Sequence, residues 1–275
     1  MKKFLIPVLS IMLLLPFMYG GCLSSEDLAE QFFDVNLPDL AGTWTGAGEW
    51  FPPPIDLERL GVSGTLVKLQ LTLDENGDIT DATVDDGEVP VGLFTGVTGT
   101  VSNFEPDLVE FSFSNNYTGG LIGNFANLKY VYFFTHDDTD MPFAHGVLEQ
   151  GASTLPNAIS SDLVGTWSGF GFDFNDATGA AERFNLTNVN ISMDEGLSIT
   201  GTDADGNSLS GYLNLQDGEH GYFDGGVMVG DMMTFNYIKY GFLSPDKTTI
   251  GFMYWPESAY YEGVWSVVLL TKQPG

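Results

Sequence analysis

Residues able to do chemistry are concentrated in one short stretch. His136-Asp-Asp-Thr-Asp140 runs on to His145, so two of the chain's three histidines bracket three aspartates. Imidazole and carboxylate donors on one hairpin form a ligand set that suits Zn²⁺ or Mn²⁺. His136, Asp138, Asp140 and His145 are therefore the candidate metal ligands. A solvated acidic hairpin loop would use the same residues without any metal. Asp203-Ala-Asp-Gly-Asn207 opens like a calcium loop, but Asn214 stands where the bidentate Glu is needed and strands flank it. That segment reads as a turn, as does Asp74-Glu-Asn-Gly-Asp78. No cofactor is assigned; Ca²⁺ at the turn loops and Zn²⁺ or Mn²⁺ at the histidine loop are the metals these residue types would suit. For covalent catalysis there is no Gly-x-Ser-x-Gly elbow, and Ser168 lies in a strand beside Trp167. Carboxylates are plentiful, yet no pair is marked as acid and base, although a glycosidase-type pair from scattered strands leaves no linear trace. No catalytic residue is assigned, and the chain reads as a non-enzyme.

The single cysteine is Cys22. Before it come Lys2 and Lys3, then an apolar run from Phe4 to Met18 broken by Pro7 and Pro16. This run is too short for a spanning helix and has the layout of an export signal. Tyr19-Gly-Gly-Cys22 resembles the lipobox of bacterial lipoproteins. The resemblance implies cleavage before Cys22 and acylation of its thiol and new amino terminus. Leu23, not Asp, follows, which by that analogy directs the protein to the outer membrane, facing periplasm or cell surface. Several acyl chains anchor firmly without a spanning helix. A lone thiol in an oxidising compartment is otherwise a liability, and one cysteine permits no disulfide within the chain.

The formal charge is −28, and losing Lys2 and Lys3 with the signal takes it to −30. A body this acidic excludes nucleic acid as a partner and is repelled by anionic headgroups. Membrane contact should therefore rest on the lipid at Cys22, and no protein partner can be named.

The elements that must position these residues are strands. Val67, Leu69, Leu71 and Leu73 alternate with polar residues, which is period two. Lys129–Thr135 reads as a strand. So do Phe184–Met193, Ser198–Thr202, Asp231–Tyr240, Thr248–Tyr254 and Gly263–Thr271. Leu40-Ala-Gly-Thr-Trp-Thr-Gly46 recurs as Leu163-Val-Gly-Thr-Trp-Ser-Gly169. Leu71-Thr-Leu-Asp74 matches Ile191-Ser-Met-Asp194, Asp107–Phe113 matches Asp231–Tyr237, and His145-Gly-Val147 matches Glu262-Gly-Val264. This is a domain written twice. The expected fold is all-β: two tandem antiparallel up-and-down barrels of roughly eight strands each. The expected organisation is signal peptide 1–21, lipidated tether 22–38, barrel repeat 39–150, linker 151–161 and barrel repeat 162–275. A single membrane-spanning barrel of many strands is the alternative architecture.

Gly42-Thr-Trp44 and Gly165-Thr-Trp167 resemble the Gly-x-Trp signature on the first strand of lipocalins, and avidin-type barrels begin similarly. The resemblance implies that Trp44 and Trp167 pack across one end of their barrels as fold residues. Trp265 suggests the late-strand tryptophan of avidin-type barrels, but Leu148 is its expected counterpart in the first copy, so biotin binding is not implied. Two functions share this fold. One is a lipid-anchored binding protein holding a small apolar ligand inside a barrel. The other is a structural or interaction lipoprotein of the envelope whose barrels are filled. Fold alone does not choose between them.

Overall fold

Each Gly-Thr-Trp opening starts the strand that closes a barrel. The motif's glycine is required by its backbone: φ is +126° at Gly42 and +146° at Gly165, where L side chains are disfavoured. Two residues on, the indole Nε1 of Trp44 donates to the Leu40 carbonyl at 2.8 Å, and that of Trp167 donates to Leu163 at 2.9 Å. Both indoles are wholly buried, and so are Leu40 and Leu163. A buried indole N–H needs a partner, and the leucine four residues back supplies it with its carbonyl. The next glycines, Gly46 and Gly169, face the last strand so closely that a Cβ would come within 1.9 Å of the Val147 carbonyl oxygen and 2.1 Å of that of Leu269.

The computed structural model describes residues 40–50, 64–85, 98–113, 118–125, 129–136, 144–151, 154–175, 178, 180–193, 196–203, 206–229, 234–256 and 264–274. The first barrel comprises β1 (Gly42–Trp50), β2 (Thr65–Leu73), β3 (Ile79–Asp85), β4 (Gly99–Glu105), β5 (Leu108–Phe113), β6 (Thr118–Gly123), β7 (Tyr130–His136) and β8 (Ala144–Gln150). The second comprises β9 (Gly165–Asn175), β10 (Ala180–Met193), β11 (Leu197–Asp203), β12 (Ser208–Asp217), β13 (Tyr222–Val229), β14 (Thr234–Leu243), β15 (Thr249–Pro256) and β16 (Val264–Lys272). Both barrels are closed and antiparallel, with every strand beside its neighbours in sequence. The fold is all-β with two tandem eight-stranded barrels, which fits a lipocalin-like fold. One many-stranded barrel is not what forms. No described helix is long and apolar enough to cross a membrane.

Between the barrels, the chain is pinned to the second one. Ala158 N–H donates to the Gly218 carbonyl at 2.5 Å and Asn157 N–H to that of Glu219 at 3.2 Å. The short helix α1 (Ser160–Leu163) carries Asp162, whose carboxylate accepts from Lys247 at 2.7 Å.

Register corrects one alignment. Gly46 lies opposite Leu148, and Gly169 lies opposite Leu270. The counterpart of Leu148 is therefore Leu270, not Trp265, and the counterpart of His145 is Val267, not Glu262. Val147 lies opposite Ala47 in the middle of β8, whereas Val264 is the first residue of β16.

Inward side chains fill both barrels. Leu69, Leu71, Val109, Phe111, Leu121, Val131, Phe133 and Leu148 in the first have 0% exposure. Trp167, Phe223, Ile250, Val268 and Leu270 in the second also have 0%, within one continuous apolar cluster. A second cluster is built from outward side chains of both barrels: Tyr132, Phe134 and Val147 from one, Phe172, Phe174 and Trp265 from the other. The barrels thus share a core, and Pro38–Gly275 is one compact unit.

Candidate functional site

Only some of the residues singled out from sequence are among those the structure describes. Cys22, Asp138 and Asp140 lie outside the described residues. His136 is the last residue of β7. Trp44 and Trp167 occupy equivalent buried positions at the ends of their barrels. His145 is fully buried on the outside of the first barrel, against the second. Among the described residues, no group of three or more His, Cys, Asp or Glu side chains is placed to hold a metal. Of the calcium-like loop, residues 204–205 lie outside the described residues. Asn214 belongs to β12 and donates to Asp224 at 3.3 Å.

The Asp74–Asp78 turn forms as read. The Asp74 carboxylate accepts from the backbone N–H of Asn76 at 2.8 Å and of Asp78 at 3.0 Å, with Gly77 at φ +79°. Asp78 does something the sequence did not signal. Among the described residues β3 and β4 are joined at Ile79 with Gly99, and beside that pair the Asp78 carboxylate accepts from Val101 N–H at 2.8 Å.

Between the barrels lies a buried polar site. Glu49 and His145 are direct cross-strand partners on β1 and β8. His145 Nε2 is 3.3 Å from Glu49 Oε2, and both side chains are almost completely buried. The imidazole lies on Tyr240, with ring centres 4.0 Å apart, and near Phe242. Tyr132 donates its hydroxyl to the Tyr240 carbonyl at 2.8 Å. Burial pushes His145 below the ordinary histidine pKa, against the pull of the Glu49 carboxylate. Burial also raises Tyr222 and Tyr132, and the nearby Glu49 charge adds to both shifts. The sequence marked His145 beside His136, Asp138 and Asp140, the last two of which lie outside the described residues. Glu49, its partner, is 96 residues away and sits in a strand with no polar alternation. Ion pairs rim this interface: Lys129 to Asp246 at 2.6 Å and Arg183 to Asp107 at 3.0 Å.

A second candidate lies on the outer face of the second barrel. Tyr212, Gly226 and Tyr237 are successive cross-strand partners on β12, β13 and β14. The two tyrosines flank the glycine about two strand spacings, roughly 9–10 Å, apart. A Cβ on Gly226 would meet the Phe235 ring at 2.2 Å, so that ring occupies the trough. Phe235 and Tyr237 pack edge to face, with centres 5.0 Å apart. Met228, partner of Phe235, adjoins them. Tyr212, Met228 and Tyr237 are 47%, 39% and 39% exposed. The next row is polar: the Asp224 carboxylate accepts from Asn214 at 3.3 Å and from Gln216 at 3.0 Å. Three of the large exposed apolar side chains thus share one patch, whereas isolated ones would need no explanation. On the matching strands of the first barrel, β4–β6, the exposed positions are Thr100, Ser102, Asn103, Ser112 and Thr118, none of them apolar.

No protein-family model matches this chain, and no curated protein matches it. Among solved structures, it is similar to a protein of unknown function of the DUF3598 family from Nostoc punctiforme. The identity is 14%, the TM-score is 0.37, and the match covers 88% of this chain and 100% of that chain. Similarity at that level carries no argument about function.

Proposed function

We propose that this chain is an extracytoplasmic interaction protein. Two filled barrels are tethered to a membrane by acyl groups on Cys22, and they work through the outer aromatic face of β12–β14. The observation that supports this is the filling of the barrels. Leu69, Leu71, Phe111, Phe133 and Leu148 of the first barrel have no accessible surface, and the inward Leu186, Leu209 and Val227 of the second keep only 7%. An interior apolar ligand, the other reading of the fold, needs space where these side chains pack. The outside then offers the Tyr212–Phe235–Tyr237–Met228 patch, whose residue types are those enriched in protein interfaces. This reading involves no catalytic step and no cofactor.

Site-specific photocrosslinking on the exported full-length protein tests the reading. A crosslinking phenylalanine analogue in place of Tyr212 or Tyr237 should give a discrete adduct, and the same analogue at exposed Thr200 should give none. Saturable binding of a neutral naphthylamine probe, with no adduct from either tyrosine position, would move the function into a barrel. Cys22→Ser should release the protein from membranes. If the variant stays membrane-bound, attachment through Cys22 is wrong.

A further inference from the structure

The two barrels meet through the same strands. β8 packs on β14 while its counterpart β16 packs on β6; β8 packs on β15 while β16 packs on β7; and β7 packs on β15, its own counterpart. Register makes the correspondence residue by residue. Ala47, Val147, Tyr132, Ile122 and Leu108 form one cross-strand row on the first barrel. Phe170, Leu269, Gly251, Phe242 and Tyr222 form the corresponding row on the second. Tyr132 and Gly251 occupy equivalent places, and they touch: a Cβ on Gly251 would lie 2.4 Å from the Tyr132 ring. Contact between equivalent positions marks an approximate two-fold axis, the signature of an isologous interface.

The faces differ where they meet. One row over, Glu49 and His145 correspond to Phe172 and Val267. In the structure, Glu49 and His145 face Tyr222, Tyr240 and Phe242. On the face of another first barrel they would meet Leu108, Gly120 and Ile122 instead, without a tyrosine beside the carboxylate. Burying a charge without its partners costs several kcal/mol, and two-fold symmetry would impose that cost twice. At the axis, two Tyr132 rings would collide, whereas two Gly251 positions would leave a hole.

We infer that the barrel–barrel interface is a self-complementary barrel surface made heterotypic at two places. These are Tyr132 against Gly251, and the Glu49–His145 pair against Tyr222 and Tyr240. By these differences the first barrel accepts a second barrel and rejects the first barrel of another copy.

Complementation between full-length chains tests this selectivity. Ala47→Arg blocks the first-barrel face and Val267→Arg the second, both at outward positions. By light scattering, each variant alone should be monomeric, and the mixture should form a one-to-one dimer at concentrations at least about tenfold lower than either variant alone, a difference of about 1.4 kcal/mol. Val267→Arg pairing with itself as readily as in the mixture overturns the inference, and so does a mixture of folded variants that never pairs. Should either variant lose its β circular dichroism signal, a double-mutant cycle decides. Gly251→Ala should lower the melting temperature of the native chain and raise it in a Tyr132→Ala background. Equal losses in both backgrounds overturn the inference.

Discussion

The two barrels have the same inside and different outsides. Both are sealed by a buried tryptophan bonded to a leucine carbonyl four residues earlier, and both close through a glycine pressed against the last strand. Their outer surfaces have diverged. β1 is buried on both faces from Trp44 to Trp50, because the second barrel covers its outer side. β12, by contrast, alternates exposed and covered positions along its length. The exposed positions described on β4–β6 are threonine, serine and asparagine, whereas β12–β14 present Tyr212, Met228 and Tyr237. A duplicated fold keeps its interior because dense packing penalises almost any change there. Its surface is free to specialise.

The largest expected effect tests whether the insides are equivalent. Trp44→Ala and Trp167→Ala each remove a fully buried indole, and each should cost about 3–5 kcal/mol in urea unfolding. Because the barrels share a core, both variants should shift one common transition. Two separated transitions in either variant would show that the barrels are independent.

The buried pair comes next. His145 has a folded-state pKa below its unfolded value of 6.5, so the unfolded chain binds the extra proton first. Stability from this group is present above about pH 6.5 and falls as pH drops below it. His145→Gln should flatten the denaturation midpoint between pH 7.5 and 5.5 relative to the native chain. An unchanged slope would remove His145 from the account of how the barrels dock.

Asp78→Ala should cost about 1–3 kcal/mol, the scale of one hydrogen bond to a charged group. Hydrogen exchange should show faster loss at Val101 in the variant than in the native chain. Unchanged protection at Val101 would mean that the Asp78 carboxylate does not hold β4 there.

The smallest effect is on the outer patch. Tyr212→Ser with Tyr237→Ser should leave stability within about 0.5 kcal/mol per site, as for most surface changes. Lys129→Ala should cost no more than about 1 kcal/mol, since that rim ion pair is largely solvated. A large loss from the tyrosine pair would make the patch a folding element and not a working surface.

Much of the architecture was legible in the chain. The repeated Gly-Thr-Trp, the period-two run Val67–Leu73 and the Asp74–Asp78 turn each obey local rules: a required φ, an alternating face, a carboxylate that caps its own turn. The five strands expected in the second copy lie within a few residues of β10, β11, β14, β15 and β16. The end of the repeat was misread because a Gly-Val pair recurs by composition, whereas only cross-strand register shows that His145 corresponds to Val267. The candidate sites were barely legible. His145 drew attention for its loop neighbours, while its observed partners, Glu49 and Tyr240, come from another strand and another barrel. Tyr212 and Tyr237 look like ordinary strand aromatics, and nothing local separates them from Tyr132.

Sequence alone determined the units: where each barrel begins, why its glycine and tryptophan stand there, and that its strands alternate between an inner and an outer face. Tertiary structure decided which outward faces are covered. Strand periodicity distinguishes the two sides of a sheet but says nothing of what lies against the outer one. Docking of one barrel on the other therefore turned Glu49, His145 and Tyr132 into core and left Tyr212, Met228 and Tyr237 in water.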